Sequence, residues 1–168
     1  MPSFTSPNKE PLEKLFVSVR AILENNKLLT LSTYDKKLKQ PCVCSAYYCF
    51  DKELNLYIWT DPKSEHGRNI EQNSNVAVNI ADTAQPLGGL LQGLQITAKA
   101  KQVTAKELLV IGALYMKRFP KVSAWVKKAI DFHTKGFQSR LYKIQSHKIK
   151  IFDEKTFGKE EYQELIFR

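Results

Sequence analysis

The sequence predicts a small antiparallel β-barrel with flanking helices, mainly β or α+β in class. Three observations lead there. Residues 28–60 hold three short β-prone runs joined by hairpin-length turns, and residues 90–103 alternate apolar and polar side chains over a long stretch. Helical spacing of apolar residues is confined to 11–26 and 104–132, outside or between the strand runs. Short antiparallel strands with helices in the gaps suit a small barrel better than a parallel βαβ sheet.

In chain order, Leu12, Leu15, Phe16, Val19, Ile22 and Leu23 give residues 11–26 one apolar stripe, with Pro11 suited to a first turn and Asn25-Asn26 as a stop. LLTLSTY (28–34), the run 41–50 and LNLYIWT (54–60) are three strands of a meander, separated by Asp35-Lys36-Lys37 and Asp51-Lys52-Glu53. Ser64 can cap a short helix running toward Asn73. NVAVNIA (75–81) is a fourth strand, and Asp82–Gly89, with Pro86 and Gly88-Gly89, a loop. In the fifth strand, 90–103, Leu94, Ile96, Ala98 and Ala100 face opposite Gln95, Thr97, Lys99 and Lys101. Residues 104–132 form two helices meeting near Phe119, because Pro120 does not continue a helix. Closing strands follow at 137–144 and 147–152, within 137–153, and the tail 159–168 reads as a helical turn. The barrel therefore has six to seven strands, and residues 1–168 are expected to be a single domain without linker or repeat.

Composition narrows the class. The chain has 168 residues, 43% apolar and 26% charged, long enough for a core without metal or disulfides. No run approaches the roughly 20 apolar residues that span a bilayer. The first residues, MPSFTSPNKEP, lack a basic-then-apolar leader pattern, so a cytoplasmic protein without membrane attachment is expected. Cys42, Cys44 and Cys49 share one strand, the first two on one face and the third on the other. With no second Cys/His cluster they read as reduced strand cysteines rather than a metal site. The net charge of +9 is spread from Lys9 to Arg168, the densest groups being Lys36-Lys37-Lys39, Lys117-Arg118-Lys121 and Lys127-Lys128. It reads mainly as solvated surface, with anion attraction next and nucleic acid a distant third.

The order of TLST, CSAYYCFD, LYIWTDPKSEHGRNIEQNSNVAVNI and GLQITAKAKQV resembles the pyridoxamine-phosphate-oxidase-like FMN-binding split barrels over about residues 10–160. Ser45–Asp51, Thr60–His66, Arg118-Phe119-Pro120 and Phe157-Gly158-Lys159 are most similar to its bacterial YhbP-like branch. The resemblance implies a split barrel that forms a homodimer and binds FMN between the subunits. The sequence departs from the common pattern at Ala98, where a second Gly is usual, and at Ser74, where Pro is common.

Thr60, Lys63, Ser64, His66 and Arg68 could serve a phosphate, which needs cations, hydroxyls and free N–H groups at a helix start. Alternatively, Ser64 only caps the helix and the bases are solvated. The resemblance places the phosphate and ribityl contacts at Thr60, Lys63, Ser64 and His66, with Arg68 least suited to reach them. Glu65 stands where a basic residue is often found. The resemblance further implies backbone contacts to the ring edge from Val43, Ser45 and Ala46 and from Trp59 and Thr60, with Gln92 or Gln95 offering an amide. Trp125, Phe132 and Phe137 are candidates to cover the ring from the partner, and Arg140 to meet an anion.

No nucleophile or general base stands out, since His133 and His147 lack a partner motif. Flavin chemistry fits that absence, because the cofactor transfers the electrons. The reading is an FMN-dependent oxidoreductase using a small substrate or a reduced nicotinamide. The C-terminal Arg-x-His substrate signature is missing from Phe137–Lys143, so pyridoxamine phosphate oxidation is not expected. The alternative is a non-catalytic sensing or binding barrel for flavin, haem or a deazaflavin. Nucleic-acid binding rests only on charge and on Tyr47, Tyr48 and Tyr57 as surface aromatics.

Overall fold

The computed structural model describes residues 3–124, 126, 131 and 138–168. The strands are β1 (Phe4–Thr5), β2 (Leu28–Asp35), β3 (Gln40–Phe50), β4 (Leu56–Thr60), β5 (Asn75–Ala81), β6 (Gln92–Gln102), β7 (Arg140–Asp153) and β8 (Tyr162–Phe167). The helices are α1 (Leu12–Asn25), α2 (Glu65–Gln72), α3 (Ala105–Arg118) and α4 (Glu154–Phe157), and a 3₁₀ turn spans Pro120–Ala124.

Six strands close on themselves in the order β7-β4-β3-β2-β5-β6, with β6 returning to β7; β8 and β1 extend beyond β7. Every pairing is antiparallel. Closure works because β7 is long and changes partner. Its first part, Arg140–Ile144, pairs with β4, and Lys148–Phe152 pairs with β8, while β6 follows the other edge throughout. The register with β6 slips where Thr97 faces Lys148 but Ala98 faces Ser146, so His147 is the extra residue of a β-bulge. Ser146 turns inward there, and its buried hydroxyl donates to the Leu54 carbonyl at 3.2 Å.

The period-2 pattern fills the barrel. Leu29 and Leu31, Val76, Val78 and Ile80, Leu94, Ile96, Ala98 and Ala100, and Ile144, Ile149 and Ile151 point inward and are buried. Helix α1 adds Leu15, Val19, Ile22 and Leu23 to the same core. A second, outer cluster lies under α3, where Leu108, Ile111 and Tyr115 cover Cys49, Tyr57 and Leu141. The cysteines divide between the two faces as their spacing predicts: Cys44 packs against the inner core and Cys49 belongs to the outer one.

Arg118 joins the two cores. Its guanidinium donates to the Leu23 carbonyl at 2.6 Å and the Asn26 carbonyl at 2.5 Å, and lies over the rings of Tyr48 and Phe50. Tyr48 also donates to Leu23, at 2.8 Å, so the open C-terminal carbonyls of α1 are satisfied from α3 and β3. Of the group Lys117-Arg118-Lys121, expected to be solvated surface, Lys117 and Lys121 are exposed and Arg118 alone is half-buried.

Other expectations need correction. The closing strands are one continuous strand, because the bulge at His147 lets the chain bend without breaking the ladder with β6. The tail is strand β8 rather than a helical turn, and it places Gln163 and Leu165 inward. The third strand starts at Leu56, since Leu54 sits in the turn with φ +63°. Beyond Phe119, Pro120–Ala124 forms a 3₁₀ turn; Trp125, residues 127–130 and 132–137, including Phe132, His133 and Phe137, lie outside the described residues. Tyr48 and Tyr57 are core residues, which removes two of the three aromatics that motivated nucleic-acid binding.

Replacing Arg118 by Ala should lower unfolding free energy by about 2–3 kcal/mol in urea, from charged hydrogen bonds lost and carbonyls left unpaired. Arg118→Lys should recover less than half of that, because an ammonium lacks the planar fork that reaches two carbonyls while lying over a ring.

Candidate functional site

The barrel opens where β3 outruns β4. Strand β3 pairs with β2 from Gln40 to Tyr47, whereas β4 joins it only at Tyr48, Cys49 and Phe50. The Tyr48 amide donates to Lys27 on the β2 side. By alternation, Val43 and Ser45 turn their N–H and C=O groups toward the open side. The Tyr47 carbonyl, on that same side, accepts from the Tyr115 hydroxyl at 3.3 Å. The Val43 and Tyr47 side chains stand on the outer face, 67% and 58% exposed, while Ala46 packs against the inner core.

Thr60 ends β4 opposite Arg140, and the chain turns at once into α2. The turn ties itself together. The Ser64 amide and hydroxyl both donate to the Asp61 carbonyl, at 3.0 and 2.6 Å, and the Lys63 amide donates to the Asp61 carboxylate at 2.8 Å. Ser64 Oγ then accepts from the Gly67 amide at 3.1 Å, the N-cap expected for it. Arg68 folds back onto the Lys63 carbonyl and so staples the turn from outside. Gly67 is required by close approach: a Cβ there would lie 2.6 Å from the Asp61 carbonyl oxygen and 2.7 Å from that of Pro62.

His66 reaches back to Thr60, with Nε2 and Oγ1 2.5 Å apart. Burial pushes its pKa below the usual 6.5, against the smaller opposing pull of Glu65 and Asp61, so the ring is neutral at neutral pH. Glu65 meets the Cys42 thiol at 3.5 Å. Burial and Glu65 both raise the Cys42 and Cys44 thiols, leaving them protonated rather than nucleophilic. Asn69 donates to Thr33 at 3.2 Å, fixing α2 to β2.

Thr60, Lys63, Ser64 and His66 thus come together at one end of the barrel, and Trp59 lies on the outer face of β4 with its ring 6.4 Å from Tyr115. Tyr115 and Phe119 are 5.0 Å apart, and Phe119 and Tyr47 5.6 Å, continuing an aromatic wall beside the open edge of β3. Sequence reading gave neither aromatic a place at the site: Tyr115 had only helical spacing as a signal, and Phe119 stood out only at the break before Pro120. The Arg140 guanidinium donates to the carbonyls of Gln138 and Ser139.

The two glutamines lie elsewhere in the subunit. Gln92 begins β6 at the opposite end, where its amide donates to Asp153 at 2.7 Å and its backbone is bracketed by Gln85. Gln95 is exposed on the outer face, beside Asn79 and Lys150. There it lines a depression with Thr30, Ser32, Thr97, Lys148 and Lys150. Among the described residues no group of three or more His, Cys, Asp or Glu is placed to hold a metal ion. No described helix is long and apolar enough to cross a membrane.

The sequence profile of the family described as pyridoxamine 5'-phosphate oxidase matches residues 17–150. A UPF0306 protein of Serratia proteamaculans is 32% identical over 108 residues, 58% of this chain and 74% of its own length. Solved structures share the fold, among them the following two. Atu2129 of Agrobacterium tumefaciens, described as of unknown function, has a TM-score of 0.66 at 18% identity over 88% of this chain; the chain spans 59% of its length. HutZ of Vibrio cholerae, described as a haem storage protein, has a TM-score of 0.60 at 20% identity, over 76% of this chain and 87% of its own.

Two outcomes test the geometry of the α2 start. His66 favours its neutral form when folded, so its contribution is complete above pH 6.5 and is lost as pH falls below that value. Melting temperature should therefore drop more steeply between pH 7 and 5 in the wild type than in His66→Gln. Gly67→Ala should cost about 1–3 kcal/mol, since the clash is with backbone and exceeds the roughly 1 kcal/mol that Ala normally gains in a helix.

Proposed function

We propose, since the chain belongs to the pyridoxamine 5'-phosphate oxidase family, that it binds FMN between two copies of itself and acts as an oxidoreductase on a small substrate. The observation that carries this reading is the meeting of two features at one end of the barrel. An open strand edge at Val43 and Ser45 adjoins the hydroxyls and cation of Thr60, Ser64 and Lys63. A flavin needs both: backbone donors and acceptors for its ring edge, and hydroxyls, positive charge and helix N–H groups for its phosphate.

In this reading Lys63 supplies the charge and Thr60 a hydroxyl, while Ser64, its own hydroxyl engaged by Asp61 and Gly67, holds the turn that presents the helix N–H groups to the phosphate. The aromatic wall of Tyr47, Tyr115 and Phe119 keeps water from one side of the ring. FMN supplies the electron transfer, and the protein positions it. The second copy packs on the outer face of β2 and β3, where Leu28, Val43 and Tyr47 expose apolar surface that a monomer leaves in water. Gln95 belongs to that same outer surface, so its route to a ring is across the interface. Gln92, tied to Asp153 at the far end, contributes to the barrel rather than to the ring.

A second reading, a haem-binding barrel without catalysis, is favoured by the likeness to HutZ. Titrating the purified protein with FMN and, separately, with haemin separates the two. FMN should bind at one per subunit of a dimer, with its fluorescence quenched. Lys63→Ala and Thr60→Val should each weaken binding about tenfold, or about 1.4 kcal/mol. A wild-type protein that refuses FMN overturns the flavin reading, and a Soret band on adding haemin establishes the second.

A further inference from the structure

Tyr142 carries a feature that the barrel itself does not require. Its side chain is 0% exposed and packs with Tyr48, Ile58 and Ile144 in the inner core. Its hydroxyl, also buried, meets no hydrogen-bond partner among the described residues. A buried hydroxyl without a partner forfeits its hydration and gains nothing in return, and Phe would fill the same volume without that loss. Other core tyrosines are not left this way. The Tyr48 hydroxyl donates to Leu23 at 2.8 Å, and that of Tyr57 to the Asp51 carboxylate at 2.7 Å.

The position of Tyr142 relates it to the candidate site. On β7 it faces Ile58 of β4, and the next inward residues on the two strands are Thr60 and Arg140, which face each other. Thr60 is therefore its diagonal cross-strand neighbour, roughly 7–8 Å away and within reach of an aromatic side chain. The charged groups acting on the hydroxyl are Glu71, Asp61 and Arg140, all at the end of the barrel that α2 covers. Burial pushes the phenol up to about 12, with Glu71 and Asp61 acting in the same direction and Arg140 against them. The group is thus a permanent donor at neutral pH, lying behind the residue that His66 contacts.

We propose that Tyr142 is a ligand-binding residue whose hydroxyl donates a hydrogen bond to the ribityl-phosphate tail of the flavin received by Thr60, Lys63, Ser64 and His66. This rests on the flavin reading above. The hydroxyl weakens the empty barrel and is satisfied only by the ligand, so stability and binding respond to its removal in opposite directions.

Tyr142→Phe tests this with two readouts on the full chain. In flavin-free protein the urea midpoint should stay the same or rise. By fluorescence titration FMN should bind about tenfold more weakly. Lumiflavin, which has the ring but no tail, should bind both proteins alike. Equal FMN affinity in wild type and variant overturns the proposal and leaves the flavin reading standing. A lower urea midpoint also overturns it, because the hydroxyl then has a partner inside the barrel. An equal loss for lumiflavin overturns the assignment to the tail. Failure of the wild type to bind FMN removes the flavin reading, and this proposal with it.

Discussion

The fold depends on one strand having two successive partners. A sheet of short strands closes into a barrel only if the last strand reaches the first, and β7 does this with its first five residues, Arg140–Ile144, against β4. It must then continue along β6, which is eleven residues long, after β4 has run out. The bulge at His147 is where these demands meet. It adds one residue on the β7 side, increases the local twist, and releases the far edge of β7 to accept β8. Without β8 that edge would be an exposed row of unpaired backbone groups.

The same mismatch of lengths generates the candidate site. Because β4 has five residues and β3 has eleven, part of β3 has a strand on only one edge. The chain leaving β4 is short of sheet to join and turns into α2, which closes the barrel end with Ile70 and ties to β2 through Asn69 and Thr33. The Asp61–Ser64 turn is thereby held against the open edge by its own hydrogen bonds and by the close packing of Gly67. An open edge next to a hydroxyl-rich helix start is a consequence of how this barrel closes.

Much of this could be read from the residues. Alternation in Leu94–Ala100 separated the two faces of that strand directly, because it has one buried face and any shift of register would reverse it. The capping role of Ser64 and the stop before Pro120 were legible because both are local backbone chemistry. The continuity of β7 was not legible. Gln145-Ser146-His147 interrupts the apolar alternation as a turn would, and only pairing with β6 distinguishes a bulge from a break. For the same reason Tyr142 could not be placed opposite Ile58. Arg118 looked like surface charge because a guanidinium over Tyr48 and Phe50 depends on contacts across some seventy residues of chain. The tail misled because YQELIF is short, and its strand state comes from the free edge of β7 rather than from its own propensity.

The two ends of the barrel differ in how they treat buried polar groups. At the end formed by Gln92 and Asp153 the buried carboxylate is fully paired, while Gln163 Oε1 on the adjoining β8 has no partner among the described residues. Burial pushes the Asp153 carboxyl upward, but hydrogen bonds from Ser18, Gln92 and Thr156 outweigh it and hold the group ionised, with Ser18 and Gln92 both at 2.7 Å. Ser18, Gln92 and Asp153 thereby join α1, β6 and β7 in one network. At the α2 end the chain keeps a neutral imidazole at short range from Thr60, two protonated thiols and a core tyrosine without a partner. Local inconsistency of this kind concentrates where a fold is built for something other than its own stability. The α2 end, where the proposed ligand site lies, gathers several such groups around Thr60.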